Sequence, residues 1–284
     1  MVQLVPKKRQ FGVSTHLYHS HRLTREHLLE MASFGFETVE LFATRTHFDY
    51  HNPSMVADLQ QWLAEAGLEL HAVHAPIGES FMADRWGPPL TLASADPDTR
   101  ARAMEETERA LHIARRIPFG VLVAHLGLPR SSTAENSRDG ARRSINELQR
   151  LAAPLGVRLA LEVIPNELSR AGSLVHFIEQ VLDDETAGIC LDFGHAHMDG
   201  DLVDAIETVS EHLVTTHVHD NRGRTDDHLV PFEGTIDWPA ALTAVLKVGY
   251  DSTLLFEIAA HGSPKDTLRK AQQARRRMEQ LLND

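Results

Sequence analysis

Eight short runs rich in Val, Ile, Leu and Phe recur along the chain, and a stretch of helical character follows each of them. The runs are "QFGVSTH", "TVELF", "LELHAVHAP", "FGVLVAHLG", "VRLALEVIPN", "AGICLDFGHAH", "LVTTHVHD" and "STLLFEI". They are continuous rather than alternating, which marks strands covered on both faces and hence a parallel sheet. Eight strand–helix units in 284 residues predict an α/β fold, a single (β/α)8 barrel with residues 1–284 as one domain. A doubly wound open sheet is the alternative. No linker rich in Gly, Pro or Ser divides the chain, and the longest loops follow the third and seventh strands.

Local signals agree with this pattern. Thr24 reads as the N-cap of "TREHLLEMASFGF", but the third residue on is His27 rather than Glu or Gln, so the capping box reads as incomplete. Pro53 opens and Gly67 closes the next helix, in which Met55, Leu59, Trp62, Leu63 and Ala66 recur at helical spacing. A further helix is expected from about Pro97 to Ile117.

Charge and composition narrow the function classes. The net charge of −12 disfavours nucleic-acid partners, which require clustered Lys and Arg. The basic runs Lys7-Lys8-Arg9 and Arg275-Arg276-Arg277 are short, and the second reads as the solvated face of a C-terminal helix. No apolar run approaches the roughly 18 residues that span a bilayer, and the opening stretch has no apolar signal-peptide core. The one cysteine, Cys190, lies in an apolar strand and reads as packing; it excludes an internal disulfide framework and points to the cytoplasm.

Histidine is the oddity, with 18 in the chain, many at the ends of apolar runs. In a βα barrel those ends carry the active site. There the chain places Glu40, His74, His125, Glu162, Asp192, His217 and Glu257, one per strand from the second to the eighth. Converging buried charges carry a large desolvation cost unless something compensates them, and a divalent cation does so. Imidazole and carboxylate without thiolate suit Zn²⁺, Mn²⁺, Co²⁺ or Fe²⁺. The segment "THVHDNRGRTDDHLVPFEGTIDW", Thr216 to Trp238, adds further candidates. His219 or Asp220 could orient a ligand imidazole, with Asp220 turned outward from the strand.

The motifs "VHAP", "AHLG", "LEVIPN", "CLDFGHAH", "HVHDNRGRTDDHLVPFEGTIDW" and "LLFEI" together resemble the xylose isomerase-like TIM barrel superfamily, over nearly the whole chain. That superfamily holds sugar isomerases and epimerases together with endonuclease IV. The isomerase and epimerase branch implies one metal held by Glu162, Asp192, His217 and Glu257. The endonuclease IV branch implies three zinc ions, with His74, His125, His195, Asp226 and His228 as further ligands. The resemblance therefore implies one to three divalent ions (Zn, Mn or Co) per chain.

The resemblance supports two catalytic readings. In the first, the chain is a metal-dependent isomerase or epimerase of a small sugar-like substrate. Glu162 and Glu257 exchange a proton through a metal-stabilised enediolate, and His195 hydrogen-bonds a substrate oxygen. Arg222 would clamp a distal substrate group, while the Ile77–Pro89 loop, with Phe81 and Trp86, closes over the sugar. The alternative is a multinuclear zinc hydrolase of a phosphoester. A metal-stabilised binding protein is the non-catalytic reading. The oligomeric state is not legible.

Overall fold

The computed structural model describes residues 10–131, 134–184 and 186–283, which leaves the Lys7-Lys8-Arg9 run outside the described residues. In chain order the elements begin with β1 (Phe11–Ser14), α1 (Arg25–Ser33), β2 (Thr38–Phe42), α2 (Pro53–Ala66) and β3 (Glu69–His74). A short hairpin of β4 (Phe81–Met82) and β5 (Arg85–Trp86) follows, then α3 (Pro97–Leu111), β6 (Val121–Ala124), α4 (Arg138–Ala152) and β7 (Arg158–Glu162). The chain continues through α5 (Ala171–Gln180), β8 (Gly188–Asp192), α6 (Phe193–Asp199), α7 (Leu202–Val209) and β9 (Leu213–Val218). It ends with α8 (Trp238–Lys247), β10 (Leu254–Phe256) and α9 (Pro264–Leu281).

The strand order β1-β10-β9-β8-β7-β6-β3-β2 closes on itself. β1 pairs in parallel with both β2 and β10, so the open-sheet alternative is excluded and the (β/α)8 barrel stands. Outward strand residues such as Leu122, Leu161 and Leu191 share one core with Ile145, Leu148, Phe177 and Val245 of the surrounding helices. Inside the barrel the residues are small: Ala72, Val121, Val123, Ala160 and Cys190 pack together beneath the mouth. Cys190 is buried packing, as its strand context suggests. Among the described residues, no helix is long and apolar enough to cross a membrane.

Several local expectations are corrected by side-chain chemistry. His27 completes the return half of the α1 capping box: the Thr24 N–H donates to His27 Nδ1 at 3.3 Å, so an imidazole does what Glu or Gln does elsewhere. Gly67 caps α2 with φ of 65°, as its position suggests. The third long helix stops at Leu111 and tightens into a 3-10 turn, His112–Arg115, rather than running to Ile117. The Arg275–Arg277 run is more than a solvated face. Arg277 lies 4.0 Å over the Phe232 ring, while Arg275 bonds the Gly35 carbonyl and pairs with Glu279 at 3.3 Å.

The loop after β9 is fixed by Asp220, which faces away from the barrel mouth and is fully buried. Its Oδ1 accepts the N–H groups of Asn221 (2.9 Å) and Ile236 (3.2 Å). Its Oδ2 accepts from Phe232 N (3.0 Å) and Trp238 Nε1 (2.8 Å). One carboxylate therefore gathers four donors spread along the segment and seats Trp238 at the start of α8. Two non-glycine residues in this loop, His228 and Phe232, hold φ of 44° and 74°, a strain that the surrounding bonds sustain. Replacing Asp220 by Ala leaves buried donors unpaired and should cost roughly 3 kcal/mol or more of unfolding free energy. Asp220→Asn, which keeps one acceptor oxygen, should cost less; urea unfolding of both variants checks this order.

Candidate metal centre

The C-terminal mouth of the barrel gathers its polar residues from six strands. Glu162 ends β7, Asp192 ends β8, His217 lies in β9, and Glu257 follows β10. Asp192 also N-caps α6, accepting the His195 N–H at 2.6 Å, which fixes the carboxylate and brings His195 back over the mouth.

Donor atoms of Glu162, Asp192, His217 and Glu257 all lie within 4.8 Å of one another. At the centre is His217 Nδ1, 3.3 Å from Glu162 Oε1, 3.3 Å from Glu257 Oε2 and 3.9 Å from Asp192 Oδ2. This nitrogen is buried and makes no hydrogen bond. A second group comprises His195, His219, Asp226 and His228, and a third comprises His74, Glu162 and His217. Glu162 links the first and third groups: its Oε2 lies 3.0 Å from both His74 Nε2 and His125 Nε2.

Three imidazoles share one pattern. The Nδ1–H of His74 donates to Ala75 O (2.7 Å), that of His195 to Val163 O (3.2 Å), and that of His228 to Glu257 O (2.8 Å). A backbone carbonyl only accepts, so in the neutral ring the lone pair sits on Nε2. In all three rings Nε2 faces a carboxylate, which also only accepts: Glu162 for His74, and Asp226 for His195 (3.0 Å) and His228 (3.2 Å). Only a cation between them, a proton or a metal ion, reconciles that geometry. Together with the unpartnered His217 Nδ1, the donor set fits a divalent metal.

The proton is the other solution, and the electrostatics of the chain without an ion reflect it. Burial alone would depress His228, but Asp226 and Glu257 raise it to about 10. Burial likewise opposes the charged forms of His195 and His217, yet Asp192 and Asp226 push His195, and Cys190 followed by Glu257, Glu40 and Glu162 push His217, well above the ordinary imidazole value. The reciprocal holds for Glu162: burial would raise it, and His217 and His125 bring it well below the usual carboxylate range. Asp226 is lowered in the same way, burial being outweighed by His228 and His195.

Other sequence candidates fall elsewhere. Glu40 is not at a strand end: it sits in the middle of β2, beneath His217, and belongs to none of the convergent groups. Arg222 is largely exposed and faces Asp227 at 3.9 Å. Phe81 and Trp86 pair across the β4–β5 hairpin with ring centroids 5.0 Å apart. The hairpin reaches over the rim, with Phe81 4.5 Å from His19 and Trp86 6.2 Å from Phe42. His195 faces Val163 O and Asp226 with its two nitrogens, which leaves neither free for a substrate oxygen in this arrangement.

The sequence marks His219 as a partner able to orient a ligand imidazole; the structure places it within the second group, and the alternation in "HVH" is the signal, since residues two apart on a strand share a face. It fits only because residue 194 is glycine: a Cβ there would lie 2.0 Å from His219 Cε1. His16 and His19, in the turn after β1, stack on each other at 4.5 Å, and His16 lies 4.7 Å from His228. Burial, then His228, holds His16 well below the ordinary value, so it is a neutral ring beside a charged one.

A closed parallel barrel with imidazoles and carboxylates converging at its C-terminal mouth defines a (β/α)8 protein whose donor groups could hold a metal ion. The chain belongs to the xylose isomerase-like TIM barrel family, whose model matches residues 28–281. It is 26% identical to the uncharacterised protein MJ1311 of Methanocaldococcus jannaschii over 258 residues, 87% of this chain and 83% of that one. It is 26% identical to a probable endonuclease 4 of Thermoplasma acidophilum over 229 residues, 72% and 74% of the two chains. Identity to the L-ribulose-5-phosphate 3-epimerase UlaE of Salmonella paratyphi A is 24% over 245 residues, 82% and 81%. Among solved structures, a D-tagatose 3-epimerase-like protein superposes with a TM-score of 0.79 at 24% identity, covering 96% of this chain and 98% of its own.

In chelator-treated protein the His228 imidazole should stay protonated through pH 8 and lose its proton near pH 10. Its folded value lies above the ordinary imidazole value of 6.5, so the stability it lends is fully present below about pH 6.5 and is lost as pH rises through about 10. An NMR titration of the His228 Cε1–H, assigned by comparison with His228→Asn, reads this directly.

Proposed function

We propose that this chain is a metal-dependent isomerase or epimerase of a sugar or sugar derivative, with Glu162 and Glu257 as its proton-transfer pair. The observation that carries this reading is the placement of both carboxylates 3.3 Å from one buried imidazole nitrogen. They come from strands separated by β8 and β9, and so approach the mouth from different sides. In this reading one carboxylate takes the proton from the carbon beside a substrate carbonyl. The other returns a proton to the opposite face, which inverts that carbon, or to the adjoining carbon, which moves the carbonyl. A divalent ion at Glu162, Asp192, His217 and Glu257 supplies Lewis-acid polarisation of the substrate oxygens. Zn²⁺, Mn²⁺ and Co²⁺ all suit this donor set.

The remaining assignments follow from position. His74 and His125 both engage Glu162 Oε2 and fix the direction of its other oxygen, which faces His217 Nδ1. Phe81 and Trp86 offer an aromatic wall to the apolar face of a sugar ring and exclude water from the mouth. Arg222, exposed at the rim, is the candidate for a distal substrate group. The epimerases among the similar proteins and the net charge of −12 both favour a small sugar-like substrate over a nucleic acid. Replacing Glu257 by Gln should slow exchange of the substrate α-proton into D₂O by roughly 100-fold or more, measured by loss of the ¹H signal. Exchange at the wild-type rate would end this reading.

One observation favours a second reading, hydrolysis of a phosphoester by a multinuclear zinc centre. It is the second convergent group, His195, His219, Asp226 and His228, beside the first. The similarity to a probable endonuclease 4 points the same way. Under this reading His228→Ala should remove about one zinc per chain and abolish phosphodiester cleavage together. Elemental analysis of both proteins, purified without a metal-affinity tag, separates the readings: one ion per chain favours the isomerase, two or three the hydrolase.

A further inference from the structure

Glu40 is a fully buried carboxylate that the proton-transfer scheme does not use. Its Oε2 lies 3.1 Å from His217 Nε2, and its Oε1 accepts the Ser14 hydroxyl at 3.0 Å. Both of its oxygens are therefore engaged below the mouth, which explains why it joins none of the convergent donor groups. The fold makes deliberate room for it. The β2–β3 register slips between Val39 and Glu40, and the slip sets Glu40 opposite the small Ala72. Ser14 is its register partner on β1. Glu40 and His217 belong to β2 and β9, which are not neighbours, so their contact crosses the barrel interior.

The partner of His217 differs in kind from those of the other rings. His74, His195 and His228 are each oriented by a neutral backbone carbonyl on Nδ1. His217 alone among these four is held through Nε2, and its partner is an ionised side chain. A carboxylate accepts only, so it retains the proton on Nε2 and leaves Nδ1 to face Glu162, Asp192 and Glu257. It also makes the ring a stronger electron donor than a carbonyl partner would.

We infer that Glu40 is a positioning residue for the metal centre, fixing the tautomer and orientation of His217 so that Nδ1 serves as its ligand atom. This rests on the proposed role of His217 as a metal ligand, and not on the identity of the substrate or on which reaction is catalysed.

The test is Co²⁺ binding to the chelator-treated full chain, by competition with a chromophoric chelator, for wild type, Glu40→Ala and Glu40→Gln. Glu40→Ala should weaken Co²⁺ binding by about 10- to 100-fold and shift the visible absorption of the bound ion. Glu40→Gln keeps a side-chain carbonyl to accept from Nε2 but loses the charge, so it should recover part of the affinity and remain weaker than wild type by about 3-fold or more. A purely structural role would lower the melting temperature of the metal-free variants while leaving Co²⁺ affinity within about twofold and the absorption unchanged; that result overturns the inference. If Glu40→Ala fails to fold, Glu40→Gln decides alone, and wild-type affinity and spectrum in it overturn the inference. A wild-type chain that binds no Co²⁺ would remove the metal reading and this inference together. Binding by wild type with both variants unchanged would remove only this one.

Discussion

The rest of the structure depends on mutual compensation among buried charges at the barrel mouth. Glu40, Glu162, Asp192 and Glu257 are all essentially removed from water, and each alone would carry a penalty of several kcal/mol. They persist because imidazoles interleave with them: His217 touches Glu40, Glu162 and Glu257, while His74 and His125 meet Glu162. Beneath them the barrel is lined with Ala72, Ala160 and Cys190, small groups that give these side chains room. The network must therefore balance itself with the cations it can gather, protons or metal ions.

The sequence revealed the architecture and most of this site, because both leave periodic traces. Continuous apolar runs announced parallel strands, and an ionisable residue on seven of the eight announced the mouth. What it did not reveal were choices made by register and by individual contacts. Glu40 looks like a strand-end ligand in "TVELF", yet the strand runs on to Phe42 and the carboxylate is engaged beneath the mouth by His217 and Ser14. His219 was legible as a strand neighbour of His217 but not as a member of a second group. That depends on Asp226 and His228 returning from seven and nine residues further on, and on the bare backbone at Gly194. His16 and His19 lie in a turn with no periodicity to mark them. Arg277 reads as surface until Phe232, left-handed at φ of 74°, is found beneath it.

The two groups of donors are built with different supports. The first stands on strand ends and is held from below by the barrel itself. The second depends on a loop, since Asp226 and His228 belong to the segment after β9. That loop is bound to the strand it leaves by paired backbone bonds between Asp220 and Leu229, at 2.8 and 2.9 Å. It is bound to the next helix by the Trp238 indole.

β9 and its continuation are consequently a strip with two separate occupations. One face, His217 and His219, addresses the mouth; the other, through Asp220, addresses the backbone of its own loop. Replacement on the first face changes what the protein can hold and leaves the path of the chain intact. Replacement on the second redirects the path and disturbs the chemistry only secondarily. A relative could lose every imidazole at the mouth and still preserve the aspartate, the tryptophan and the outline of the loop between them. Persistence of that outline in a distant sequence therefore testifies to inherited shape, and the face turned toward the mouth must be read separately to learn what the protein does.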